Sequence, residues 1–169
     1  MKRLILTLAL VLSAAFASAQ NYAVVNSEKI FKSIDQYNQA ISQLDQMAND
    51  YQTKVDAKFE EVEKIYNAYM QRRSQLSAAS QQANEENILK LEQEAQKYQE
   101  SIFGTDGELM KKRLELIQPI QKKVFAAIEE YAKAQGFDMI IDCAQNATML
   151  YYSAKADHTE AVISLLKTK

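Results

Sequence analysis

Alternate steps of four and three from Ile30 land on Ile34, Tyr37, Ile41, Leu44, Ala48, Tyr51, Val55, Lys58, Val62, Ile65 and Tyr69. Only Lys58 is neither apolar nor aromatic, and Phe59 sits beside it. A sustained mean spacing of 3.5 residues predicts a long helix whose seam packs on a partner helix with left-handed supercoil. The opposite face carries Asp45, Asp50, Lys54, Asp56, Glu60, Glu61 and Lys64, as a solvated face requires. The pattern fades over Leu76 to Ala83, where Ser, Ala and Gln replace the apolar anchors. It resumes at Ile88, Leu91, Ala95, Tyr98 and Ile102, then continues through Leu109, Leu116, Ile120, Val124, Ile128 and Tyr131. The reading is an antiparallel helical hairpin over residues 30–131 with its tip near 76–84. Ser77, Ser80 or Asn84 would cap the second helix. Two helices of about fifty residues would each run roughly 75 Å. A compact domain of this length has a radius of roughly 15 Å, so the hairpin is expected to project as an arm.

Composition supports long helices. The chain has three Gly and one Pro, and neither residue occurs between Ser27 and Phe103. That interval is rich in Gln, Glu, Lys, Ala and Leu, all good helix formers. The return helix has two irregularities. Gly104 and Gly107 stand inside its register, each costing about 1 kcal/mol against Ala if the helix is continuous. Pro119 removes one backbone donor and would kink the helix near Gln118. The three residues either accommodate curvature or let the arm flex.

The ends read differently. Tyr22 to Asn26 is a short strand, and Ser27 is placed to cap the helix that follows. Gly136 suits the position just past a helix end. Residues 137–142, "FDMIID", read as a strand, residues 143–147 as a turn, and Thr148 to Tyr152 as a second strand. A final amphipathic helix over about 157–167 opens with Asp157 and Glu160 at capping-box spacing. A strand of four or five residues cannot satisfy its own backbone groups, so residues 22–26 are expected to pair with 137–152. The fold class is therefore α+β and mostly helical: a small β body from residues 20–29 and 132–169, with the arm inserted. A body of about sixty residues is marginal alone, and "AVV", "MII" and "MLYY" are more apolar than one such unit can cover. Self-association through the strands is expected.

Residues 1–19 have the form of a secretory leader. Met1-Lys2-Arg3 is basic, Leu4 to Leu12 is apolar, and Ala17-Ser18-Ala19 is a small-x-small cleavage site. The apolar run is too short to span a membrane. No Cys stands after the cleavage site to take a lipid anchor, and no later run approaches a span, so no stable membrane insertion is expected. Cleavage removes Lys2 and Arg3 and takes the net charge from -2 to about -4. That acidity argues against a nucleic-acid partner. Cys143 is the one cysteine, so an intramolecular disulfide framework is excluded. It reads as a small buried residue, with an intersubunit disulfide or reactive thiol as the alternative. His158 is the one histidine. It lies on a different element from Cys143 and reads as structural. There is no His/Cys metal spacing and no Gly-rich phosphate loop. The expectation is no enzyme, no catalytic residues, no metal and no cofactor.

"YAVVNSEKIF", a long Gly-free helical hairpin, "GFDMIID", "MLYYS" and "DHTEAVISLLK" occur in an order that resembles the Skp/OmpH family of periplasmic chaperones. The similarity covers essentially all of the chain after the leader. What the resemblance implies is a periplasmic homotrimer. Short strands of three subunits form a central body, and three helical arms enclose a cavity. Unfolded outer-membrane proteins are held there, without ATP, and kept from aggregating. Val24, Val25, Ile140, Ile141, Leu150 and Tyr151 would then build the trimer body. The family's best-studied members are strongly basic, whereas here only Arg72 and Arg73 are basic near the tip, with Glu85 and Glu86 opposite. Electrostatic capture of clients is therefore in doubt. Apolar and aromatic residues are expected to carry more of the contact, with Phe59, Tyr66, Tyr69 and Met70 as candidates beside Arg72 and Arg73. Tyr and Met at heptad spacing are also ordinary seam residues. Two other readings compete: a structural coiled-coil envelope protein, and a lipid- or wall-associated protein. The lack of a polybasic cluster argues against the latter.

Overall fold

A computed structural model describes residues 21–145 and 148–168. The leader assigned to 1–19, and part of the turn assigned to 143–147, lie outside the described residues. The chain divides into two compact units. One joins the residues up to Asp35 to those from Gln121 onward, and the other is Gln36–Ile120.

The first unit holds the sheet. Strand β1 (Tyr22–Val25) pairs in parallel with β2 (Met139–Asp142), in a register that sets Tyr22 opposite Met139 and Val25 opposite Asp142. A parallel pair needs a long crossover, and everything between the strands supplies it. The ladder extends at both ends, through Asp138 N–H to the Asn21 carbonyl and Cys143 N–H to the Val25 carbonyl. The other side of β1 is also taken: Val24 bridges Asp157, and His158 N–H donates to the Val24 carbonyl at 2.9 Å. Ala23, Val24 and Val25 are all buried, as in a strand covered on both faces.

This arrangement corrects the second expected strand. Residues 148–152 form no strand, and Leu150 and Tyr151 are 95% and 85% exposed. Their β-branched and aromatic composition suits a strand, but both sides of β1 are already occupied.

Helix α1 (Ser27–Lys32) is capped by Asn26, not by Ser27: the Asn26 Oδ1 accepts from Lys29 N–H at 2.9 Å. Ser27 instead gives its hydroxyl and its N–H to the two oxygens of Asp142, tying α1 to the end of β2. The first long helix does not run unbroken. Ser33 turns its hydroxyl back to the Ile30 carbonyl at 2.7 Å, and Ile34 N–H bonds Phe31, three residues back. This local competition for carbonyls ends α1. Helix α5 (Thr159–Lys167) closes the unit. Its expected capping box is absent: Asp157 Oδ1 accepts from the Thr159 N–H and hydroxyl, and Glu160 pairs with Lys29 at 2.8 Å. Val25, Ile30, Val124, Val162, Ile163 and Leu166 form the core.

The second unit is a helical hairpin. It is built from α2 (Asp35–Arg72), α3 (Ala78–Phe103) and the start of α4 (Glu108–Gln135). Buried positions recur every seven residues, at Val55, Val62 and Tyr69 on α2 and at Ile88, Ala95 and Ile102 on α3. Tyr69 faces Glu85, Lys58 lies over Tyr98, and Tyr51 meets Glu108. The numbers fall on one side as they rise on the other, so the helices are antiparallel.

The tip is tighter than its sequence suggests. A 3₁₀ turn (Arg73–Gln75) follows α2, and Ser77 caps α3, accepting from Ser80 N–H at 3.2 Å. Residues 78–83, expected in the turn, are already helical. The Gln81 side chain donates to the carbonyls of Arg73 and Leu76 and closes the turn.

The return helix is broken at the glycines. α3 stops at Phe103, α4 begins at Glu108, and Gly107 N–H donates to the Gly104 carbonyl at 2.9 Å. A Cβ on Gly107 would lie 2.4 Å from the Ile102 carbonyl oxygen, so any larger residue would force this turn to shift. α4 continues through Pro119. At its end Gly136 has a φ of 69°. Phe137 N–H reaches back to Ala132 and Gly136 N–H to Lys133, the paired bonds of a Schellman ending.

Candidate functional site

Cys143 and His158 each meet a tyrosine hydroxyl. Cys143 is half-buried, and its thiol lies 3.6 Å from the Tyr152 hydroxyl. That contact pushes the Tyr152 phenol up from its ordinary range. His158 Nδ1 is 2.8 Å from the Tyr131 hydroxyl, and its ring sits edge-on to Phe137 at 4.7 Å. The pair ties α4 to the start of α5 within the sheet unit. Among the described residues no group of three His, Cys, Asp or Glu is placed to hold a metal ion. No helix among them is long and apolar enough to cross a membrane.

Two carboxylates organise the sheet unit. Burial pushes the Asp142 carboxyl up, but the Ser27 hydroxyl, Ser27 N–H and Ala144 N–H outweigh it and hold the group below its ordinary value. The Thr159 hydroxyl and N–H do the same for Asp157. The residues expected to build a trimer body fall into two groups. Val24 and Val25 are buried within the single chain, and Ile140 and Ile141 are half-buried. Leu150 and Tyr151 are turned to water.

In the hairpin unit, the six candidate contact residues separate. Tyr69 is 3% exposed and packs with Val62 and Ile88, so it is a seam residue and not a surface contact. Its hydroxyl donates to Glu85 at 2.6 Å and accepts from Arg73 Nε at 3.1 Å. Burial, then the Glu85 bond, raises its pKa despite the opposing Arg73. Arg73 also reaches Glu85 at 3.5 Å, and the Tyr69 bond is the main reason its own pKa rises. Arg72 is exposed, with its Nε on the Ala68 carbonyl of its own helix.

Phe59, Tyr66 and Met70 lie on one side of α2. Tyr66 and Met70 are 45% and 47% exposed. Phe59 and Tyr66 line an open groove of about 410 Å³ with Val62, Glu63, Glu92 and Gln96. The two glutamates are functional candidates that the seam analysis passed over. For Glu63 the signal was available, since 59, 63 and 66 share a face at helical spacing. A second cavity of about 220 Å³ lies at the glycine turn, lined by apolar residues such as Leu44, Ile102, Phe103 and Met110 and also by Asp45 and Arg113. Gly104 and Gly107 make the turn beside it, whereas Pro119 lies within a continuous helix.

The architecture is that of a mostly helical α+β protein: a two-stranded parallel sheet with a long helical hairpin inserted between its strands. The family "Outer membrane protein (OmpH-like)" matches residues 21–166, and the chain belongs to it. No curated protein matches the sequence. Among solved structures, the chain is similar to an OmpH-like protein of Caulobacter crescentus CB15, provisionally assigned as an outer membrane chaperone. The two share 12% identity and a TM-score of 0.64, over 89% of this chain and 86% of that one. At that identity the likeness is one of fold.

Proposed function

We propose that the chain is an ATP-independent periplasmic holdase that binds unfolded outer-membrane proteins in a cavity between helical arms and prevents their aggregation. The observation that carries this reading is the family match over residues 21–166. The secretory form of residues 1–19 supports export to the periplasm.

The reading includes a homotrimer. The sheet has the order β1-β2, and β1 is occupied on both sides. The outer edge of β2 is then the place for a strand from another chain. Residues 148–152 of a neighbour, carrying Leu150 and Tyr151, have the composition to fill it. Ile140 and Ile141 would be covered in the same step. The body would span 20–29 and 132–169, with residues 30–131 as supercoiled arms. Holding without ATP needs many weak contacts, and arms around a shared hollow supply avidity without locking the client. Phe59, Tyr66, Met70 and Arg72 are the arm contacts of this reading.

The test is light scattering from an outer-membrane protein diluted out of urea. At about one trimer per client the chain suppresses aggregation. Unchanged scattering at a several-fold excess would leave a structural coiled-coil protein of the envelope in place of a chaperone.

A further inference from the structure

The groove beside Phe59 and Tyr66 has a chemistry of its own. Two rings and two carboxylates share it, from Glu63 on α2 and Glu92 on α3. Among the described residues neither glutamate forms an ion pair, whereas Glu60, Glu85 and Glu94 are paired with Lys64, Arg73 and Lys90. Arg73, whose charge interacts with Tyr66, is committed to the Tyr69 hydroxyl and to Glu85.

Elsewhere the same hairpin supplies its own cations to its rings. Lys54 Nζ lies 5.4 Å from the Tyr51 centroid, and Lys58 Nζ lies 5.1 Å from that of Tyr98. Both distances are those of cation–π attraction. Among the described residues no such cation lies over Phe59 or Tyr66, where rings and acids share the groove. The half-open rings also offer apolar surface, so a bare metal ion or ammonium would use only part of the site.

We propose that this groove takes a lysine or arginine of an unfolded polypeptide, flanked by apolar or aromatic side chains. The cation lies over Tyr66 or Phe59 and pairs with Glu63 and Glu92, while its neighbours cover the rings. Arginine fits better than lysine because its planar fork stacks on a ring and donates sideways to carboxylates at once. The inference rests on the holdase reading and names its client chemistry: cationic, apolar-flanked segments, not the acidic ones that basic arms would select.

The test uses the full chain without its leader and two synthetic peptides, acetyl-Gly-Tyr-Arg-Leu-Arg-Tyr-Gly-amide and its counterpart with Glu for each Arg. Titration calorimetry should show the arginine peptide binding and the glutamate peptide not, with affinity falling as salt rises. The double variant Glu63→Gln/Glu92→Gln should weaken arginine-peptide binding by about tenfold, from two partly exposed charge contacts. Glu61→Gln/Glu94→Gln removes the same charge from the other edge, which those residues line with Lys58. It should change binding by less than about twofold, since distant exposed charges are screened. Melting temperatures of both double variants equal to the parent's establish that neither unfolds the hairpin. Both peptides binding alike, neither binding, or both double variants acting equally would overturn the proposal. The aggregation assay separates the two levels. A chain that holds its client but does not distinguish the peptides loses only this groove, whereas a chain that holds no client loses the holdase reading.

Discussion

Replacing Gly107 by Ala is a perturbation whose sign depends on the shape of the return helix. In an unbroken helix the change would stabilise by about 1 kcal/mol, because Gly is the poorer helix former. In the observed turn the new Cβ would sit 2.4 Å from the Ile102 carbonyl oxygen, 2.7 Å from its carbon and 2.9 Å from the Gly104 nitrogen. All three are backbone atoms, so no rotamer change relieves the contact and the turn itself must shift. Overpacking of this kind costs about 1–3 kcal/mol. The reduced freedom of the unfolded chain returns about 0.4–1 kcal/mol. The net expectation is a loss of about 0–2.6 kcal/mol, or up to roughly 10 °C in melting temperature for a chain of this size. Thermal and urea unfolding followed by circular dichroism measures it. A Gly107→Ala variant that melts higher than the parent would refute the broken helix and the turn geometry with it.

Ile30→Ala empties a fully buried site between α1, α4 and α5 and should cost about 2–5 kcal/mol in urea unfolding. Tyr69→Phe removes the hydroxyl between Glu85 and Arg73 and should cost about 0.5–1.5 kcal/mol, toward the lower end because Glu85 can rehydrate. Acid should weaken the sheet unit. Asp142 and Asp157 have lowered values when folded, so their contribution is complete above the ordinary carboxyl range and is lost as pH falls through the lowered values. Melting temperature should be flat near neutrality and drop below about pH 4, and Asp142→Asn should flatten that acid limb; an unchanged limb would contradict the role given to Asp142.

The parts of the fold legible in the sequence were those in which one chemical property repeats. The spacing of 3.5 names Leu44, Val55, Val62, Ile88, Ala95 and Ile102, and all are buried. The stepping along α4 took Leu116 and Ile128, which are half-buried, in place of their neighbours Ile117 and Ala127, which are buried with Ile120 and Val124 at spacings of three, four and three. Gly136 was readable because only a left-handed ending wants glycine there.

Legibility failed where neighbours compete for the same backbone group. Asn26 and Ser27 are both good caps, and Asp142, more than a hundred residues away, draws Ser27 off the helix end. Asp157 likewise meets Thr159 before Glu160 can complete a box. Thr148 to Tyr152 has the composition of a strand, but composition does not reveal that β1 already has two neighbours. For the site, the seam stepping contained Tyr69 and not Tyr66, yet both were named as contact candidates. A three-residue shift around the helix buries the first and opens the second. Glu63 and Glu92 were invisible as a pair until the antiparallel register brought α2 and α3 together.

The most direct measurement is molar mass by light scattering on the chain without its leader, alone and after an outer-membrane protein is diluted into it from urea. The account predicts three copies of the chain alone, and the same three copies plus one client in a soluble complex. A solitary chain at every concentration, with the client precipitating beside it, would contradict both the shared body and the holding activity.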